Sequence, residues 1–170
     1  MTLPVVYPPT IIVRHRKENL HKCSLRGLEN RSDCLFYRYP RREPLSLRGY
    51  LVLSLEGPPL SLADRDRGIL LLDATWRHLQ PMLRWVEGME GWERRSLPKQ
   101  CRTAYPRRQE DCPDPERGLS SVEALYLAYS ILGRSVEGLF DHYRWGDAFL
   151  HALYSSTTSM DKDEKDEVLG

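Results

Sequence analysis

The stretch Gly68-Ile69-Leu70-Leu71-Leu72-Asp73-Ala74-Thr75-Trp76 decides the fold class expected of this chain. Its aliphatic run between Gly68 and Asp73 is typical of a strand that is buried on both faces of a parallel sheet. Helical spacing begins directly afterwards, so the pattern predicts a strand that ends on a carboxylate and turns into a helix. Open α/β proteins bind ligands at this carboxyl edge of the sheet. An N-cap role for Asp73 or Thr75 explains the same residues without a ligand, and the stretch alone leaves both interpretations open.

Three more strands are predicted on the amino-terminal side of this stretch, because β-branched or aromatic residues alternate there with turn signals. They are Thr10–Arg14, Asp33–Tyr39 and Tyr50–Ser54. Glu56 to Pro59 contains a Gly-Pro turn signal, and Leu60 to Arg67 begins with an N-cap pattern typical of a short helix or turn.

Three helices are predicted on the carboxyl-terminal side. Apolar residues recur at helical spacing from Thr75 to Glu87, with Pro81 as the one irregularity. Ser120 to Glu123 forms a capping box ahead of Ala124–Leu132, whose nearly continuous apolar surface predicts a buried helix. A last amphipathic helix is predicted from Glu137 to Tyr154.

Composition indicates one compact domain with at most a small second lobe: 170 residues, 41% of them hydrophobic and 29% charged. The net charge is +1, but Met160 to Gly170 contributes −3, which leaves +4 on the rest of the chain, mostly as arginine. A mildly basic body permits nucleic-acid binding without demanding it. The acidic, Pro-rich segment Gln109–Gly118 is predicted to be a loop, and Ser155–Gly170 is predicted to be disordered.

Several classes of protein are not expected. The first ten residues include Pro4, Pro8 and Pro9 and resemble no signal peptide, and no run approaches the ~20 apolar residues of a membrane span. Four cysteines are few for a disulfide scaffold and lack zinc-site spacing, so we expect a cytoplasmic protein with reduced thiols and no metal. The sequence contains no nucleophile elbow, P-loop or Gly-x-Gly-x-x-Gly motif.

Four motifs, in register along the chain, resemble those of the aminocarboxypropyltransferases. Leu60–Arg65 looks like the Leu-Ser-x-x-Asp-Arg motif, and Asp73–Trp76 looks like Asp-(Cys/Ala/Gly)-(Ser/Thr)-Trp. Arg95–Pro98 resembles Arg-x-Leu-Pro, and Leu119–Ala124 resembles a (Ser/Thr)-x-x-Glu-Ala helix start. The family includes an enzyme of ribosome biogenesis that modifies small-subunit rRNA and the DTW-domain enzymes that modify tRNA uridine. The match extends in order from about Thr10 to Tyr154.

The resemblance implies an α/β, SPOUT-like fold: a mostly parallel sheet flanked by helices, with a knotted ligand site. It implies an N-terminal α/β lobe over residues 1–58 that contacts RNA, an S-adenosylmethionine-binding domain over 59–155 and an acidic tail over 156–170. Enzymes of this family transfer the 3-amino-3-carboxypropyl group of S-adenosylmethionine to N3 of a uridine or pseudouridine and release methylthioadenosine. S-Adenosylmethionine is therefore the expected cofactor, and RNA is the expected partner.

The resemblance also implies roles for single residues. Trp76 would pack on the methionine side chain and sulfonium of the cofactor in a cation–π contact. Asp73 would hold the methionine ammonium or assist loss of the uridine N3 proton; the first role is favoured, because an ordinary carboxylate is a weak base at neutral pH. The other expected cofactor contacts are Ser24, Leu97, Tyr105, Ser120 and Glu123. Independently of the resemblance, arginines interleaved with tyrosines suit phosphate contact and base stacking, and such surface arginines also occur without a ligand. The expected phosphate contacts are Arg38, Arg41, Arg42, Arg102, Arg107 and Arg108.

Two features bear on which branch of the family the chain resembles. The DTW-type enzymes carry zinc-ligating cysteines near their N-terminus, and this chain has no comparable cluster. Arg14-His15 with Lys22-Cys23-Ser24 is similar to the N-terminal lobe of the rRNA branch, which favours rRNA over tRNA.

The segment Gln109–Gly118 departs from that branch, which leaves the alignment of Tyr105 open. Two other functions fit the same residues: a SPOUT-type RNA methyltransferase and a non-catalytic RNA-binding module.

Overall fold

The computed structural model describes residues 6–20, 23–105 and 118–155. Five strands of this part of the chain form one sheet in the order β2-β1-β4-β3-β5, and every neighbouring pair is parallel. The strands are β1 (Thr10–His15), β2 (Cys34–Tyr39), β3 (Tyr50–Pro59), β4 (Gly68–Asp73) and β5 (Glu93–Ser96). Strands from residues 1–58 and from residues 59–155 therefore lie in the same sheet.

The stretch that predicted the fold is the central strand. All six residues of β4 are buried, and Gly68 is required at its start because a Cβ there would lie 2.5 Å from the ring of Tyr50 on β3. Leu70 and Leu72 pack in one apolar cluster, whereas Leu71 packs in another. Since successive side chains of a strand point to opposite faces, the sheet is covered on both sides.

Helices cover the two faces. Helix α1 (Trp76–Glu87) contributes Met82 and Val86 to the cluster of Leu70 and Leu72. Helix α2 (Ser121–Ile131) packs with Leu71 on the other face, and residues 146–155 form a third helix, α3. The predicted α/β class, with a parallel sheet flanked by helices, is confirmed. No helix within the described residues has the length and apolar character that a bilayer crossing requires.

Three local predictions were wrong. The predicted turn Glu56–Pro59 continues β3, whose pairing with Ser96 shifts register before Pro59, where a bulge tolerates proline. Glu93–Ser96, for which no strand was predicted, forms β5. The helix predicted over Glu137–Tyr154 is helical only from residue 146, and Gly138 before it adopts a left-handed φ of +80°. Residues 109–117 and 156–170 lie outside the described parts of the chain.

Candidate functional site

A pocket opens at the carboxyl edge of the sheet, where β4 ends and α1 and α2 begin. Six of the seven residues expected to contact a cofactor line it: Ser24, Asp73, Trp76, Leu97, Tyr105 and Ser120. The wall also includes the carboxylate residue Glu18, the hydroxyl of Ser121 and the aliphatic side chains of Leu79 and Leu83. Three of the four family-like motifs therefore meet at one cavity: they contribute Asp73 and Trp76, Leu97, and Ser120.

Asp73 is the buried carboxylate of this pocket, with only 3% of its surface exposed. Its Oδ2 accepts hydrogen bonds from Arg14 Nε and from the Cys23 thiol, each at 3.1 Å. Its Oδ1 accepts a hydrogen bond from Ser121 Oγ at 2.8 Å. A carboxylate has about four lone-pair sites, so three protein donors leave room for one ligand donor.

The Cys23 thiol is a donor and not a nucleophile in this arrangement. Burial, reinforced by the negative charge of Asp73, raises the pKa of the Cys23 thiol to about 12. The thiol therefore keeps its proton at neutral pH and uses it to hold Asp73 Oδ2. Among the described residues, no three His, Cys, Asp or Glu side chains lie together as a metal site would require.

The start of α2 forms the second polar wall. Ser24 Oγ accepts a hydrogen bond from the backbone N–H of Val122 at 3.1 Å, and Ser120 Oγ accepts one from Glu123 at 3.4 Å. Two of the helix's unpaired N–H groups are therefore already satisfied by serine hydroxyls. A ligand at this wall would meet the hydroxyls of Ser24, Ser120 and Ser121, and not those two amides.

Glu123 is the expected cofactor contact that the structure does not place on the pocket wall. It is fully buried, and its carboxylate accepts hydrogen bonds from Thr103 Oγ1 (2.6 Å), Ser120 N (2.8 Å) and Ala104 N (2.9 Å). The predicted capping box is present. Glu123 therefore joins the α2 start to the segment before Tyr105, and it reaches the pocket only through those neighbours.

Replacing Glu123 with glutamine should destabilise the protein. In either orientation the amide nitrogen must then face a backbone N–H, that of Ser120 or that of Ala104, and leaving a buried donor unsatisfied costs about 1–3 kcal/mol. We expect the free energy of unfolding, measured by urea denaturation, to fall by about 2 kcal/mol. Glu137→Gln, at an exposed position, is the control and should change it little. Equal stability of the two variants would contradict this account of Glu123.

Tyr105 and Trp76 form the aromatic part of the wall. Tyr105 meets the Trp145 ring edge-on, with centroids 4.9 Å apart, and its backbone N–H donates to Thr103 Oγ1 at 3.0 Å. Trp76 is the first residue of α1 and is half-buried. The preceding N-cap, Thr75, makes no side-chain cap bond, and its hydroxyl lies 3.1 Å from His78 Nδ1.

Two of the motifs that suggested the family contact each other away from the pocket. Arg95 Nε lies 3.3 Å from Asp64 Oδ2, and both side chains are mostly buried. Asp64 also accepts a hydrogen bond from the Ser61 N–H at 3.2 Å, which closes a capping box. The Leu-Ser-x-x-Asp-Arg and Arg-x-Leu-Pro motifs thus hold β5 to the turn before β4, and Leu97 extends from that support into the pocket.

The expected phosphate contacts are only partly assembled. Arg38 is exposed on β2, and Arg41 and Arg42 follow the end of that strand, at the same edge as Asp73. Arg41 lies over the Tyr37 ring at 4.5 Å and pairs with Glu43 at 3.6 Å. Arg102 belongs to a different pocket, formed with α2 and α3. Arg107 and Arg108 lie outside the described residues.

Sequence reasoning assigned no role in the site to Arg14 or Ser121, although both contact Asp73 directly. For Arg14 the available signal was its place at the end of β1, since parallel strands bring their carboxyl ends to one edge. Pairing places Arg14 opposite Asp73 and next to Arg38. Ser121 lies within the same helix-start motif, directly after Ser120, which was the serine expected to contact the cofactor.

The fold matches a solved structure, that of the SAM-dependent rRNA:acp-transferase Tsr3 from Vulcanisaeta distributa. The TM-score is 0.66 and the sequence identity is 22%, and the match covers 89% of this chain and 81% of that one. The two chains share a fold. At this identity the likeness shows the architecture alone. No protein-family model and no curated protein matches the sequence.

Proposed function

We propose that the protein is an S-adenosylmethionine-dependent RNA aminocarboxypropyltransferase. The observation that carries the proposal is the convergence of Ser24, Asp73, Trp76, Leu97, Tyr105 and Ser120 on one pocket at the carboxyl edge of the sheet. The fold shared with Tsr3 and the four motifs in register support it. In the same proposal the fold is SPOUT-like with a knotted ligand site. Residues 59–155 form the cofactor-binding domain, and residues 1–58 contact RNA and contribute Ser24 to the pocket.

The pocket walls suit the parts of S-adenosylmethionine. Trp76 offers an aromatic face for the sulfonium and methionine chain. Asp73 Oδ1 retains acceptor capacity for the ammonium, and the Ser24 and Ser120 hydroxyls lie beside the same wall. Leu97 and Tyr105 provide an apolar and aromatic surface for adenine. Asp73 serves as the ammonium acceptor in this arrangement, because Arg14 and the Cys23 thiol occupy Oδ2 and Oδ1 has only Ser121 as its partner within the described residues.

The choice of transferred group is a matter of position. When bound, S-adenosylmethionine supplies a 3-amino-3-carboxypropyl group whose Cγ–S bond breaks as a bond from uridine N3 forms, with methylthioadenosine leaving and the N3 proton passing to solvent. The protein selects this carbon by fixing both ends of the methionine chain and turning the methyl group away from the acceptor. Trp76 and Asp73 are the residues that would hold the sulfonium end and the ammonium end. N3 of a uridine or pseudouridine in rRNA is the proposed acceptor.

The by-product tests this function. Protein incubated with S-adenosylmethionine and bulk RNA should release methylthioadenosine, measured by liquid chromatography and mass spectrometry. S-Adenosylhomocysteine as the product would instead establish a methyltransferase. A non-catalytic RNA-binding module predicts neither product and no stabilisation by the cofactor, whereas ligand at ~100 times its Kd should add about 2.7 kcal/mol to the free energy of unfolding. Nucleoside analysis of a deletion strain would then identify the modified uridine.

A further inference from the structure

Arg14 is the cation that holds Asp73, and it reaches that carboxylate from the neighbouring strand. The two residues are register partners on β1 and β4, and Arg14 Nε donates to Asp73 Oδ2 at 3.1 Å. The far side of the guanidinium faces Glu29 Oε1 at 3.2 Å, and the Phe36 ring lies 5.0 Å from its centre. Only 13% of the Arg14 side chain is exposed, so its orientation is fixed by protein contacts.

The two oxygens of Asp73 have different hydrogen-bond partners. Oδ2 takes both Arg14 and the Cys23 thiol. Within the described parts of the chain, Oδ1 has Ser121 Oγ as its partner, and this oxygen keeps the remaining acceptor site. Rotation of the carboxylate would break the Arg14 bond, so the pairing fixes the orientation of the carboxylate and the position of its remaining acceptor site.

Glu29 keeps the cluster attractive to a cation. Arg14 and Asp73 alone would be a neutral pair, and a neutral pair attracts an ammonium weakly. Although burial acts to raise it, hydrogen bonds from the backbone N–H groups of Glu29 and Gly27, together with the Arg14 charge, lower the pKa of Glu29. Glu29 is therefore ionised at neutral pH, and the three side chains together carry one negative charge.

We propose that Arg14 is a positioning residue, which holds Asp73 by Oδ2 so that Oδ1 accepts the ammonium of the ligand's amino-acid moiety. Glu29 balances the Arg14 charge, so that the cluster keeps a net negative charge. This inference rests on the proposed function and assigns to two further residues the recognition of the amino-acid end of the cofactor. Neither residue touches the ligand: Arg14 acts through Asp73, and Glu29 acts through Arg14 and the net charge of the cluster.

The inference predicts that loss of Arg14 weakens binding of S-adenosylmethionine and not of methylthioadenosine, because methylthioadenosine lacks the amino-acid moiety. In Arg14→Gln, the Kd for S-adenosylmethionine measured by calorimetry should rise on the order of tenfold, while the Kd for methylthioadenosine changes less than about twofold. Arg14→Lys, which keeps a cation at this position, should recover part of the loss. Arg84→Gln, at an exposed position on α1, is the matched control and should bind both compounds normally.

A second variant protects the test against misfolding, since Arg14→Gln leaves a buried carboxylate without its cation. Glu29→Gln keeps the Arg14–Asp73 bond, and the Glu29 side chain is 41% exposed. This variant should weaken S-adenosylmethionine binding about threefold and leave methylthioadenosine binding unaffected. If Arg14→Gln lost the same affinity for both compounds and Glu29→Gln bound both normally, the inference would be overturned and the proposed function would stand. Wild-type protein that binds neither compound would overturn the proposed function and the inference with it.

Discussion

Replacing Trp76 with alanine should remove most of the affinity for S-adenosylmethionine and leave the fold intact. The ring lies on the pocket wall at the first turn of α1, and a desolvated cation–π contact contributes about 2 kcal/mol, or roughly 30-fold in Kd. Loss of the apolar packing of the ring on the methionine chain adds to that figure. Stability should change little, because Trp76 is only half-buried and alanine is the best helix former.

Calorimetric titration of the wild type and two further variants would isolate this effect. Trp76→Phe keeps an aromatic face and should retain part of the affinity. Trp92→Ala removes a half-buried tryptophan whose Nε1 donates to the carbonyls of Val86 and Met89 at the end of α1. That variant should lose stability and keep its affinity. If Trp76→Ala bound the cofactor as tightly as wild type, Trp76 would have no place in the site.

The central part of the fold was predictable because local signals agree there. The aliphatic run of β4 is buried on both faces, and the capping box of Ser120 and Glu123 fixes the start of α2 without help from distant residues. β5 escaped prediction for the opposite reason. Its sequence, Glu-Arg-Arg-Ser, has no apolar alternation, and as an edge strand it is held by backbone pairing with β3 and by the Arg95–Asp64 contact.

The identities of the pocket residues were predictable from motifs, but their partners were not. Arg14 and Asp73 are 59 positions apart, and Ser121 and Asp73 are 48 apart, so only the register of β1 on β4 and the docking of α2 bring them together. The same limit applies to Glu123. Its type and spacing fit a capping box and a ligand contact equally, and its burial against Thr103 and Ala104 decides where the carboxylate points.

Replacing the exposed arginines at the carboxyl end of β2 should weaken RNA binding. Arg38 and Arg42 are both exposed, and both lie at or beyond the carboxyl end of β2, on the edge where Asp73 lies. Each phosphate contact contributes about 0.7 to the salt slope for single-stranded RNA. The double variant Arg38→Gln/Arg42→Gln should therefore lower the slope by about 1.4 and the affinity at physiological salt by roughly tenfold. Filter binding over a salt series measures both quantities.

Two comparisons show whether position or charge is responsible. Arg41→Gln should change RNA affinity and the salt slope less than Arg38→Gln or Arg42→Gln, because Arg41 is already stacked on Tyr37 and paired with Glu43. Arg48 and Arg65 are exposed and precede β3 and β4, so they lie at the amino edge of the sheet. Arg48→Gln/Arg65→Gln removes the same charge and should leave the salt slope almost unchanged. Equal losses from the two double variants would mean that RNA senses net charge alone, and the carboxyl edge would not be the RNA-binding face.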